Sequence, residues 1–91
     1  MNRLFDQMLN GVTCGDCIDV MAHLPARSVD FVLTDPPYLV NYRDRSGRSV
    51  ANDDNDAWLK PAFAQIHRML KPDSLCVTFC GWMATDLFMD A

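Results

Sequence analysis

The tetrapeptide Asp35-Pro36-Pro37-Tyr38 follows directly on Val29-Asp30-Phe31-Val32-Leu33-Thr34, an apolar run that reads as a buried strand. Proline fixes φ and carries no N–H, so the turn is stiff and its acceptors stay free of local donors. The Asp35 carboxylate and the Pro36 carbonyl would then form a pair of acceptors for a flat group with two N–H donors, on which the Tyr38 ring can stack. An exocyclic amine on a nucleobase is such a group. Its lone pair is conjugated into the ring, and it attacks poorly until its hydrogens are drawn and the nitrogen becomes tetrahedral. Two fixed acceptors stabilise the positive charge that grows on nitrogen during attack. The chemistry that fits is methylation of the amine, with a methyl sulfonium held in line with it.

Those residues need a frame, and strand and helix signals alternate along the chain to supply one. The pattern predicts a short strand at 11–14 and a helix at 16–24 that Pro25 ends. Strand 29–34 comes next, then a polar segment at 39–56. A second helix follows, with Leu59, Ala62, Phe63, Ile66, Met69 and Leu70 on its apolar face and Pro61 in its first turn. Lys71-Pro72-Asp73-Ser74 reads as a turn into strand 75–80, and a last helix begins at 84. Such βαβ alternation predicts an α/β fold with parallel strands. Ligands of open α/β sheets lie beyond the carboxyl ends of the strands, where the tetrapeptide stands. Asp16 is placed to cap the first helix, whose apolar positions are Ile18, Val20, Met21 and Leu24.

Asp35 to Tyr38 in this setting, with Gly15-Asp16-Cys17 and Leu24-Pro25 before it and Met69-Leu70-Lys71-Pro72-Asp73-Ser74 after it, resembles the amino-terminal part of S-adenosylmethionine-dependent DNA adenine-N6 methyltransferases, closest to the permuted β-group. The resemblance covers roughly residues 10–82. It implies a partial Rossmann-like class I methyltransferase fold with an incomplete sheet. It also implies Asp35, Pro36, Pro37 and Tyr38 as the catalytic motif, and Asp16, Cys17 and Asp35 as contacts to S-adenosylmethionine. Asp16 thus carries two readings, helix cap and cofactor contact. The target would be adenine in double-stranded DNA, extruded from the duplex. Relatives with similar tetrapeptides modify cytosine N4, RNA adenine or a protein glutamine amide.

The same comparison marks what the sequence lacks. Its glycines, Gly11, Gly15, Gly47 and Gly81, do not form the Gly-x-Gly loop that cradles the methionine part of the cofactor. The expectation is that residues 1–91 are an amino-terminal fragment of one methyltransferase domain, inactive alone. Strand 29–34 would be left with an open edge, prone to self-association or to pairing with a complementing carboxyl-terminal half. The alternative from another class is a non-catalytic assembly module.

Composition sets further bounds. Ninety-one residues with 49% hydrophobic content allow one modest core. A net charge of −4 argues against holding nucleic acid by overall charge. Arg43, Arg45 and Arg48, just after the catalytic turn, are candidate phosphate contacts, with a solvated loop as the bland reading. Cys14 and Cys17 form a Cys-x-x-Cys, and Cys76 and Cys80 a Cys-x-x-x-Cys, which raises a small zinc module as a third reading. Four residues of strand would separate Cys76 from Cys80 by roughly 13 Å, too far for one metal. Buried structural thiols at Cys76 and Cys80, reduced thiols at Cys14 and Cys17, and no metal are expected. With no apolar run of bilayer length and no secretory signal, a cytoplasmic location is expected.

Overall fold

The computed structural model describes residues 3–39, 45–49, 51–52 and 54–91. In chain order it contains α1 (Arg3–Met8), α2 (Cys17–Ala22), β1 (Val29–Thr34), α3 (Leu59–Met69) and β2 (Leu70–Thr78). A 3-10 turn at Trp82–Ala84 then leads into α4 (Thr85–Asp90). β1 and β2 pair in parallel as a two-stranded sheet joined through α3, so this is an α/β protein with an incomplete sheet, compatible with a partial Rossmann-like methyltransferase fold.

Helix α3 organises the core. Leu59, Ala62, Ile66 and Met69 recur at helical spacing and are buried along one stripe, as the sequence pattern predicts. Pro61 is the third helical residue, where a missing N–H costs no intrahelical bond. Leu59 joins Ala84 and Phe88 in a cluster against which Leu39, Trp58 and Phe63 pack. Phe88 meets Trp58 and Phe63 edge-on, with ring centroids 6.3 and 6.1 Å apart.

The carboxyl end of α3 is closed by the chain entering β1. The amides of Arg27 and Ser28 donate to the carbonyls of Arg68 and Met69, at 3.0 and 2.8 Å. Arg68 reaches from α3 to the Met21 carbonyl at the end of α2, 2.7 Å away, and so ties the two helices together.

Three boundaries differ from the sequence reading. The expected strand at 11–14 is absent: residues 11–14 are neither helix nor strand, and Val12 is fully exposed. A strand exists only by pairing, and no neighbour for this one lies among the described residues. Residues 71–74 are not a turn before the strand, because Leu70 already pairs with Val29. The next pair is Phe31 with Leu75, so Lys71–Ser74 bulge out of a strand that has begun. Asp73 takes the left-handed conformation there (φ 62°), and Lys71 spans to Asp30 at 2.8 Å. The strand ends at Thr78 rather than at residue 80. One further bond, from the Phe79 amide to the Thr34 carbonyl, extends the ladder to the end of β1.

The sheet is covered on one side only. Phe31 stands opposite Leu75 and Leu33 opposite Val77, which puts all four on one face. They are 51%, 68%, 63% and 45% exposed. Parallel strands are ordinarily buried on both faces. The accessible surface agrees: 6933 Å², against about 5,400 Å² for a compact monomer of this mass. Among the described residues no helix is long and apolar enough to cross a membrane.

Candidate active site

Strand β1 ends at Thr34, and the tetrapeptide leaves its carboxyl end, beyond the last rung of the ladder. Asp35 is exposed, while Pro36, Pro37 and Tyr38 are half-buried. The Tyr38 hydroxyl donates to Oδ1 of Asp35. That bond, helped by slight desolvation and by the carboxylate charge, holds the Tyr38 phenol above its ordinary pKa. Leu39 has φ 62°, a conformation that a side chain with a Cβ rarely adopts. Its packing on Leu59, Ala84 and Phe88 holds it there, and so fixes the backbone on which Tyr38 is mounted.

Asp16 is a helix cap, as its sequence position predicts. Its carboxylate accepts from the Ile18 amide at 2.9 Å, and its carbonyl accepts from the Val20 amide at 3.0 Å. Cys17 opens α2 and is exposed.

These two segments meet. A cavity of about 310 Å³ has Asp16 and Cys17 on one wall and Thr34, Pro36 and Pro37 on another, with Trp58 and Phe63 lining it from the side of α3. Asp35 and Tyr38 lie outside this lining. The lining is mainly apolar, and Asp16 contributes the carboxylate. Trp58 is held at the rim by its indole N–H, which donates to the carbonyls of Asn52 and Asn55. The sequence reading missed the part that Trp58, Phe63 and Met21 play in this wall. Their spacing marks them as packing residues, and nothing in it separates a residue that fills a core from one that borders a cavity.

A larger hollow, about 580 Å³, lies at the other end of the strands and is lined in part by Arg27, His67, Arg68 and Lys71. It is at the wrong end of the strands for a ligand site in this fold class. Arg68, in the last turn of α3, complements the carboxyl terminus of that helix.

Of the candidate phosphate contacts, Arg45 and Arg48 are exposed, and Arg48 donates from Nε to the Ser46 hydroxyl at 3.0 Å. Arg43 falls outside the described residues. Cys14 and Cys17 are exposed free thiols, while Cys76 and Cys80 are half-buried ones. Burial raises the pKa of the Cys76 thiol. Among the described residues no three His, Cys, Asp or Glu side chains gather in a metal-binding arrangement.

No protein-family profile matches the chain. It is similar to YubD of Escherichia coli (strain K12), provisionally named a methylase, with 56% identity over 77 residues, covering 85% of this chain and 34% of YubD. It is also 35% identical over 66 residues to the type II methyltransferase M.BglII of Bacillus subtilis, covering 72% of this chain and 18% of that protein. With the type II methyltransferase M.HinfI of Haemophilus influenzae the identity is 26% over 76 residues, covering 84% and 21%. The chain thus spans about a third or less of the length of these curated relatives.

Proposed function

We propose that this chain is the catalytic-motif portion of a cytoplasmic S-adenosylmethionine-dependent methyltransferase that acts on the N6 amino group of adenine in DNA. The observation that carries the reading is the placement of Asp35-Pro36-Pro37-Tyr38 at the carboxyl end of a parallel strand, beside a cavity shared with Asp16 and Cys17. Similarity to proteins named methylase and methyltransferase supports it.

The cavity fits the adenosine half of the cofactor. Apolar walls suit a flat ring, and a carboxylate at Asp16 suits its N–H donors. Asp16 and Cys17 would hold that half, with Asp35 bordering the reacting end. When bound, S-adenosylmethionine supplies a methyl group on a positively charged sulfur. Asp35 and the Pro36 carbonyl draw the two amine hydrogens of the target base, and Tyr38 stacks on its ring. The two acceptors stabilise the charge that appears on nitrogen as it attacks. The prolines hold both acceptors in place at little entropic cost.

The methionine half of the cofactor has no Gly-x-Gly loop in this sequence. We assign that loop, and most target recognition, to polypeptide corresponding to the remaining length of the relatives. Part of it would cover the face bearing Phe31, Leu33, Leu75 and Val77. Without it, the exposed face and the open edge of β1 would promote self-association.

The test is transfer of labelled methyl groups to duplex DNA by this chain combined with the remaining portion of such an enzyme, followed by nucleoside analysis. N6-methyladenine formed with Asp35 present and lost in Asp35→Ala is the expected result. Methylcytosine would move the target, and no transfer by a well-folded complex would favour a non-catalytic assembly role.

A further inference from the structure

The Tyr38–Asp35 hydrogen bond raises a question that the proposed reaction does not answer. Asp35 is exposed, yet its Oδ1 is taken by a donor from within the same tetrapeptide. In the reading above, that carboxylate must receive a substrate N–H while the Tyr38 ring turns to stack on the base. It is this turn, not a lack of acceptor sites at Asp35, that breaks the intramolecular bond. We propose that the Tyr38 hydroxyl is a stand-in for the substrate amine: it occupies Asp35 while the site is open, and an incoming amino-bearing base displaces it.

The inference rests on the base-binding role given to the tetrapeptide. The exchange is bond for bond, O–H···O for N–H···O, so an amine enters with little net loss of hydrogen bonding. A base edge without a donor would break the tyrosine bond and return nothing, and one with a carbonyl would set an acceptor against the carboxylate. The pair therefore biases the site toward amino-bearing edges before any reaction occurs. It also frees the Tyr38 ring to stack only when an amine has replaced its hydroxyl.

The backbone is built for a side-chain exchange. Pro36 and Pro37 fix the chain before Tyr38, and Leu39 is locked behind it in a left-handed conformation by the Leu59, Ala84 and Phe88 cluster. Rotation of the tyrosine side chain is the motion left between these anchors. Asp35 is the charged group that acts on the phenol, so the state of the pair can be read from Tyr38 itself.

The experiment is NMR at neutral pH on the chain carrying Tyr42→Phe, in which Tyr38 is the only tyrosine, labelled with carbon-13 at Cζ, with S-adenosylhomocysteine in saturating excess so that an added nucleoside does not report on the cofactor cavity. Asp35→Ala should shift the Cζ resonance by removing the acceptor. Adenosine should shift it in the same direction, and purine riboside, which stacks but has no amine, should not. Adenosine binding, seen in the nucleoside's own aromatic signals, with Cζ unmoved would overturn the exchange and leave the base-binding reading standing. An equal response to purine riboside would overturn the selectivity, and an unmoved resonance in Asp35→Ala would show that the pair does not form. No binding of adenosine by a chain whose pair does form would remove both the exchange and the base-binding role.

Discussion

Tyr38 and Asp35, three residues apart, are joined side chain to side chain at the carboxyl end of β1, the phenol donating and the carboxylate accepting. One consequence is a pH dependence with a defined sign. The folded-state pKa of Tyr38 is raised above its ordinary value, with the Asp35 hydrogen bond as the first cause. The stability it contributes is fully present below the unfolded-state pKa of about 10 and is lost as pH rises through the folded-state value. Asp35→Ala should therefore be slightly less stable than the unsubstituted chain at neutral pH, and the difference, followed by urea denaturation at stepped pH, should close as pH rises through the folded-state value.

In the complete enzyme, Asp35→Ala should lower kcat by roughly 10²–10³, the loss typical when a group that stabilises transition-state charge is removed. Because Asp35 is exposed and outside the core, thermal unfolding at neutral pH should change only by the small contribution of the Tyr38 bond. A fall in rate matched by an equal loss of folded protein would argue against the assignment.

Asp16 can be split into its two roles. Asp16→Ala removes the bond to the Ile18 amide and should cost about 1 kcal/mol of stability. Asp16→Asn keeps a capping oxygen but removes the negative charge. If Asp16 also contacts the cofactor, calorimetric affinity for S-adenosylmethionine should fall in both variants, while urea denaturation separates them.

Leu59 is 3% exposed and clusters with Ala84 and Phe88. Leu59→Ala should cost about 2–5 kcal/mol, a large share of the stability of a chain of this size. Equilibrium urea denaturation would measure it. A change below 1 kcal/mol would mean that α4 is not docked as described.

The open sheet face predicts association. Leu75→Lys, at a position 68% exposed, should reduce self-association seen by light scattering and weaken capture of the complementing portion, with little effect on α3. A well-folded monomer in the unsubstituted chain would contradict an exposed apolar face that drives self-association.

Much of this was legible in the sequence because it depends on local chemistry. The stripe of Leu59, Ala62, Ile66 and Met69 is a helical period, the cap at Asp16 is a short-range hydrogen bond, and the tetrapeptide follows an apolar run that reads as a strand, although that strand is not buried as expected. Each is set by residues within a few positions of one another. The tertiary structure decided what depends on partners far along the chain. The expected strand at 11–14 did not form, because pairing needs a neighbour that periodicity cannot supply. Lys71–Ser74 became a bulge inside β2, because Leu70 had already found Val29. Nor could spacing show that Asp16 and Pro36 share one cavity with Trp58 and Phe63, since that follows from how α2 packs on α3 and how β1 pairs with β2. The sequence specified the parts of the site by local propensity, and long-range packing decided which of them face one another.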